Sequence, residues 1–562
     1  MVTRSIPREH AHLLVSAPLL SKDALNFIAE LQPLVGLDDL VEQVRERSFL
    51  SLRPELTWRR EQGRNQSSLG AELKWRPRAD WVIDATLNPD FSQVESDAPQ
   101  LAANTRFALF QPEKRPFFLE STDVVGQTRP DGSGAAHGLA AFYSRTLSDP
   151  DWGLRATWRG ASAEAVGLSL RDAGGGQVLR PGAYATAEYA QPGHSQATFV
   201  RGRQQLGAAS WGLLASERDY GGGAFNRVLG SDFSWRPGES DLLRGHWLQS
   251  ASTTAFDEDQ SRVMRGSRET GRKLWLSWQH RNADWNQQLH VEEITPRFAN
   301  DNGFVPQAGI RRVSLDLARR LGSGELAGLP IFEAEPQLKL EQTTTLADGP
   351  LQRGGELVER KLEPGFWFST ARNTGVWGHL ALGSQRARPG GPLHAPRTLN
   401  LGFESNPAPW LNLLEAELEW GRRLDVEAER LGNGMSLMLQ AKFRFALPGA
   451  WWLELEQQLG QAWVDNPAGQ RALNERGGQL LAVLQFDARD SLRLISQRHQ
   501  TTRQAEALLT ASDEKSRSDS LVLQRRIGHG RILSLGASLA RESARQPLQR
   551  QVFAKLVWAW SD

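Results

Sequence analysis

The chain is 562 residues long, with a formal net charge of +1, 40% hydrophobic residues and no cysteine. That length allows roughly three or four ordinary domains or one large β structure. Near-neutral charge without a basic cluster argues against a nucleic-acid partner, and the absence of thiols removes disulfides, thiol nucleophiles and thiolate metal sites.

Residues 1–45 are mixed in character. Short helices are predicted over 21–31 and 37–47, with serine and aspartate start signals near each. The opening Met1-Val2-Thr3-Arg4 is followed by no apolar h-region, and no run of about 18 apolar residues occurs anywhere. The chain as given is therefore expected to carry no export signal and no transmembrane helix, with 1–45 a linker or the tail of an upstream domain.

From residue 46 to 562 the hydrophobic period becomes two. Leu69, Ala71, Leu73 and Trp75 alternate with Gly70, Glu72 and Lys74. Leu414, Ala416, Leu418 and Trp420 alternate with Glu415, Glu417 and Glu419, and Val552, Ala554, Leu556 and Trp558 share one face near the end. Such runs last roughly 9–14 residues, the length of a tilted membrane strand and longer than an ordinary soluble one. Even spacing without crossover helices predicts antiparallel pairing. Trp (20) and Phe (22) far exceed Tyr (4), and rings of this kind suit a long boundary between water and an apolar phase.

Alternation alone fits a soluble sandwich as well as a membrane barrel. Strand length, Trp at the ends of apolar faces, and charges of both signs on the polar faces (Lys442, Arg444, Glu454, Glu456) favour the barrel. The fold class expected is all-β, a large antiparallel transmembrane β-barrel of roughly 20–24 strands. Longer insertions near 253–268, 296–306, 386–396 and 502–518 are expected to be extracellular loops.

One segment breaks the monotony. From 88 to 123 the chain gathers six carboxylates, three basic residues and five phenylalanines. Pro89, Pro112 and Pro116 have no backbone N–H for a central ladder, so this segment is expected to leave the barrel wall. Residues 88–125 are predicted to fold inward as an internal or periplasmic constriction. Its candidate residues are Asp90, Glu95, Asp97, Arg106, Glu113, Lys114, Arg115, Phe117, Phe118 and Glu120.

Two roles fit this composition: a structural latch of satisfied ion pairs, or a selectivity element in which Arg106, Lys114 and Arg115 face a polar or anionic solute. A divalent-cation site from Asp90, Glu95 and Asp97 is a third, weaker reading, since no calcium-loop glycine spacing accompanies them.

The same segment carries a resemblance. Asn88-Pro89-Asp90-Phe91-Ser92-Gln93-Val94-Glu95, Thr105-Arg106-Phe107, Pro112-Glu113-Lys114-Arg115-Pro116-Phe117-Phe118-Leu119-Glu120 and Phe142-Tyr143-Ser144-Arg145 together resemble the DUF5916 family of Gram-negative bacterial proteins. The resemblance extends loosely over residues 5–562. It implies an outer-membrane β-barrel, commonly preceded by a sandwich similar to family 9 carbohydrate-binding modules; the sequence as given starts after where such a sandwich would lie, so none is expected in it. It implies no established reaction and no catalytic residues.

Enzymatic signals are weak. HExxH, GxSxG, P-loop and GxGxxG patterns are lacking, and His290 near Glu292 and Glu293 reads as a lumen or loop side chain. No cofactor or metal is expected. The function expected is a channel or transporter for a polar solute, or a membrane scaffold for a periplasmic domain. The alternative is a secreted or surface β protein that binds or acts on carbohydrate. Expected partners are outer-membrane lipid, a polar or carbohydrate solute and a periplasmic domain.

Overall fold

The computed structural model describes residues 2–8, 11–17, 48–90, 97–126, 141–191, 193–257, 262–350, 352–506, 509–528, 530–541, 543 and 546–561. The helices predicted over 21–31 and 37–47 lie outside these residues, as does Glu95. At the N-terminus, strands Val2–Arg8 and Ala11–Ala17 pair antiparallel as a separate two-stranded sheet.

Among the described residues, 24 strands form one closed antiparallel barrel. The wall begins at Phe49–Glu61 and ends at Gln549–Trp558, and these two strands pair with each other, Thr57 opposite Lys555. Closure leaves no unpaired edge, which matters for a sheet of this size. No helix among the described residues is long and apolar enough to cross a membrane, so the crossing elements are strands.

Exposure settles which face is outside. Leu69 is 73% exposed and Trp420 61%, and Leu87, Trp211, Leu229, Leu459, Leu535 and Trp558 are exposed with them. On the same strands Glu72, Glu419 and Lys555 point the other way, into the lumen. A soluble sandwich would bury the leucines, whereas a membrane barrel turns them toward lipid. The sequence expectation of a transmembrane barrel holds.

The connections are asymmetric. At the end that holds the wall's first and last residues the links are mostly short, such as 160–162, 207–208 and 282–284. The opposite end carries the long ones, 88–149, 173–194, 295–309 and 346–356. A tight exception there is Gln62-Gly63, both at positive φ (48° and 85°), the signature of a two-residue hairpin turn. Short turns are periplasmic in barrels of this kind and long loops extracellular.

Two of the expected loops differ from simple extracellular excursions. Strands Asp241–Asp257 and Arg262–Arg281 carry the 253–268 region as an extended hairpin. Residues 296–306 fold back into the barrel, where Phe298, Asn300, Asp301, Asn302, Phe304 and Val305 are buried. The physical reason is that this loop covers apolar surface inside the lumen.

Candidate functional site

Between strands Trp81–Leu87 and Pro150–Arg159 the chain leaves the wall, and the described residues 97–126 and 141–147 of this connection pack inside the lumen. Its first anchor is the seam where the barrel closes. The Asp90 amide donates to Glu55 Oε1 at 2.7 Å and its carboxylate accepts from Thr57 Oγ1 at 2.6 Å. Arg59 lies 3.3 Å from the same carboxylate. Lys555, on the last strand, donates to the Asp90 carbonyl at 2.7 Å and pairs with Glu55 at 2.7 Å.

The chain then touches the far wall. Gln497 Nε2 donates to the Asp97 carbonyl at 2.7 Å. The amides of Ala102 and Ala103 donate to the two Glu475 carboxylate oxygens at 2.9 and 3.0 Å, and His499 lies 2.8 Å from the same group. Asn104 clasps the chain around Leu424 and Val426, donating to one at 2.9 Å and accepting from the other at 3.0 Å. Arg106 donates to the Arg386 carbonyl at 2.5 Å.

From residue 110 the segment turns to the near wall and becomes a small core. Two single-turn helices, α1 (Pro116–Leu119) and α2 (Thr122–Val125), bury Phe117, Phe118, Val124 and Val125. Pro116 opens α1 at a position where its missing N–H costs nothing. These side chains pack with Phe142 and with the inward faces of neighbouring strands, among them Val166, Leu168, Leu170, Phe199, Leu214, Val228 and Leu248, and with Phe298 from the folded-back loop. Here the rule that apolar residues face lipid reverses, because a dry insert rather than water lies inside.

Arg115 and Glu113 hold this turn. Arg115 is 5% exposed, with Nε and Nη2 on the Glu113 carboxylate at 2.9 and 2.7 Å. Its guanidinium also donates to the Leu147 and Ser144 carbonyls, at 2.5 and 2.7 Å, and sits 4.3 Å above the Phe118 ring. Burial alone would raise the Glu113 carboxyl, but the hydrogen bond and charge of Arg115 and the Ser144 hydroxyl bring it below the ordinary carboxylate value. Burial pushes Tyr143 up to about 12, with the Glu113 charge adding to it. The Tyr143 hydroxyl accepts from the Gln111 amide at 2.8 Å and donates to its carbonyl at 2.9 Å.

The remaining candidates fall into place around this core. Asp97 takes both Lys114, at 3.5 Å, and Arg145. Glu120 accepts from Lys74, a bond that depresses its carboxyl below the usual range. Asp90 and Asp97 thus serve different cations, and the described residues hold no cluster of three His, Cys, Asp or Glu fit for a metal ion.

Several partners carry the segment without having been singled out in the sequence: Glu55, Lys555, Glu475, Arg155 and Arg201. Arg155 is buried, bridging Asp84 at 2.7 Å and the Phe117 carbonyl, and Arg201 donates to the Val124 carbonyl at 2.7 Å. Their common signal is an ionic residue at an inward strand position, a pattern shared with many lumen residues that bind nothing. His290 lies buried near Trp275, with Lys273 2.8 Å from Glu292.

Between residues 104–109 and the far wall lies a cleft of about 530 Å³. Glu359, Lys361, Glu363, His379, Asn400, Glu419 and Arg423 line it. Its walls carry both signs of charge and belong to long strands whose other faces meet lipid.

Residues 50–129 match the family model described as a domain of unknown function, DUF5916. The match covers the first three wall strands and the inward segment through α2.

No curated protein matches the chain. Among solved structures, a mutant of the ferric enterobactin receptor PfeA from Pseudomonas aeruginosa is similar at 8% identity and a TM-score of 0.42, covering 91% of this chain and 80% of that one. The ferric preacinetobactin receptor BauA from Acinetobacter baumannii is similar at 10% identity and 0.38, covering 92% and 80%. The outer membrane protein OpdK from Pseudomonas aeruginosa is similar at 9% identity and 0.29, covering 92% and 99%.

Proposed function

We propose that this barrel sits in the outer membrane and passes a small polar solute along the wet side of its lumen, with the DUF5916 segment as the constriction. The observation that carries the reading is the mixed-charge cleft between residues 104–109 and the far wall. A barrel of 24 strands encloses more space than side chains fill. The segment fills one side with an apolar core and crosses the other on a few hydrogen bonds. A cleft of about 530 Å³ is within the range that accommodates small ligands.

In this reading the candidate residues divide by role. Arg115, Glu113, Phe117 and Phe118 latch the segment, since they are buried and mutually satisfied. Asp90 ties it to the closure seam, and Asp97 with Lys114 and Arg145 stiffens the crossing. The solute meets Lys361, Arg423, Glu363 and Glu419, with residues 104–109 as the opposite side. Opposed charges across a narrow wet path select by charge and hydrogen bonding.

Planar-bilayer conductance tests this. The purified chain is expected to give stepwise currents, with Lys361→Glu plus Arg423→Glu shifting the reversal potential toward cations. Deleting residues 99–108 is expected to raise unit conductance. Silence from both the parent and the deletion, in barrels that are demonstrably folded, would remove the passage reading.

A further inference from the structure

On the outer wall, away from the lumen, three arginines stand in register on adjacent strands. Arg498, on Asp490–Arg503, is directly opposite Arg517 on Ser512–Ile527, and Arg517 is directly opposite Arg541 on Arg531–Arg541. Their direction is fixed by their neighbours: Gln497 and His499 point inward to Asp97 and Glu475, so Arg498 points out. One row nearer the long-loop end, Arg476 is opposite Gln500 and Gln500 opposite Lys515.

Like charges directly opposite on neighbouring strands repel. Strands lie about 4.8 Å apart, so three guanidiniums in one row need a counter-charge. Asp519 supplies one, 2.8 Å from Arg498 and 2.5 Å from Arg517, and Asp513 pairs with Lys515 at 2.8 Å. Among the described residues Arg476 and Arg541 have no carboxylate partner. Among the described residues, five cations against two carboxylates leave an excess of three positive charges on one patch of outer wall.

The patch is a groove of about 670 Å³, and its lining joins these cations to Leu459, Leu480 and Leu548, with Gly478 opening the floor between Leu459 and Arg498. Toward the short-turn end the same strands expose Leu494, Leu521, Leu523 and Leu535. Eight residues separate Arg498 from Asp490 at the strand's short-turn end. At about 3.3 Å per residue and a tilt of about 40°, that is roughly 20 Å of barrel height, close to the apolar band of a membrane barrel. The arginine row therefore lies at the upper edge of that band, where headgroups sit.

We propose that this groove binds a phosphorylated glycolipid of the outer leaflet, its phosphate on the Arg498–Arg517–Arg541 row and its acyl chains on the leucines beneath. Guanidinium forks match phosphate oxygens in bidentate fashion, and a phosphate supplies the missing negative charge. The proposal rests on the outer-membrane setting and is independent of any route through the lumen.

The test uses the full chain in detergent, with diphosphoryl lipid A as probe and the dephosphorylated lipid and inorganic phosphate as comparison arms. Diphosphoryl lipid is expected to bind, and Arg498→Gln/Arg517→Gln/Arg541→Gln to weaken it by roughly a hundredfold, at the usual contribution per basic residue at a lipid surface. Heat-modifiable gel mobility verifies that the variant is folded. If it is not, the comparison of phosphorylated with dephosphorylated lipid on the parent chain decides. Equal binding of the two lipids, undiminished binding by the folded variant, or competition by inorganic phosphate at parity with the lipid overturns the proposal. Conductance read on the same samples separates the two ideas, because lipid binding can fail with currents intact, and the reverse.

Discussion

The two sides of the lumen obey opposite rules. On the far side, strands such as Leu411–Asp425 and Arg430–Leu447 turn Leu418 and Leu439 to lipid and Glu417, Glu419 and Lys442 to the interior. On the near side, strands such as Ala163–Asp172 and Ser195–Leu206 turn Val166, Leu168 and Phe199 inward, where they are buried against α1, α2 and Phe142. One side is a wetted wall and the other is the rim of a small dry core. The difference shows that burial in this barrel is decided by what the lumen holds, not by the wall.

The contrast can be broken most sharply at the latch. Arg115→Ala leaves Glu113 buried without its partner, a change expected to cost about 3–5 kcal/mol. Residues 97–126 should then become open to protease while the wall strands stay protected. An unchanged cleavage pattern and melting temperature would mean that the pair is not what holds the segment.

Next in size is the dry core itself. Phe199→Ala removes a fully buried ring and is expected to cost about 3 kcal/mol, read from thermal unfolding in detergent. If Phe199 faced lipid instead, the loss would be far smaller.

A pH titration sharpens the same comparison. Glu113 is held below its ordinary value of 4.5, so its contribution to docking is complete above that pH and fades as pH falls through the lower, folded value. Protease protection of the segment should stay flat from neutral pH down to about 5 and fail only below 4.5. Failure between pH 6 and 7 would point to a different group.

The smallest stability effect is expected on the wet side. Glu419→Gln changes a partly exposed charge, and its effect on unfolding should stay within about 1 kcal/mol. Its readout is ionic: the reversal potential should move modestly toward anions. A large loss of stability there would mean that the far wall is packed as tightly as the near one.

That Pro89, Pro112 and Pro116 cannot donate in a central ladder is readable from the sequence alone. Pairing of Arg115 with Glu113 is local and was within reach of composition. The ties of Asp90 to Lys555, of Ala102 to Glu475 and of Asp97 to Gln497 were not, since each joins residues separated by hundreds of positions. The sequence places 296–306 among the extracellular loops because it is one of the longer insertions between strands. Its burial follows from a partner, the core around Phe142, that is remote in the chain.

By itself the amino-acid order settled the period of two, the strand lengths and the antiparallel pairing, since all of these follow from local sterics and spacing. Only the tertiary structure decided which inward faces are dry and which are wet. Val166, Leu168 and Leu170 alternate as any lipid-facing trio would, and lipid and a buried core are equally apolar surroundings for them. What distinguishes the two is the insert that closes over those side chains, and its position depends on contacts made across the whole barrel.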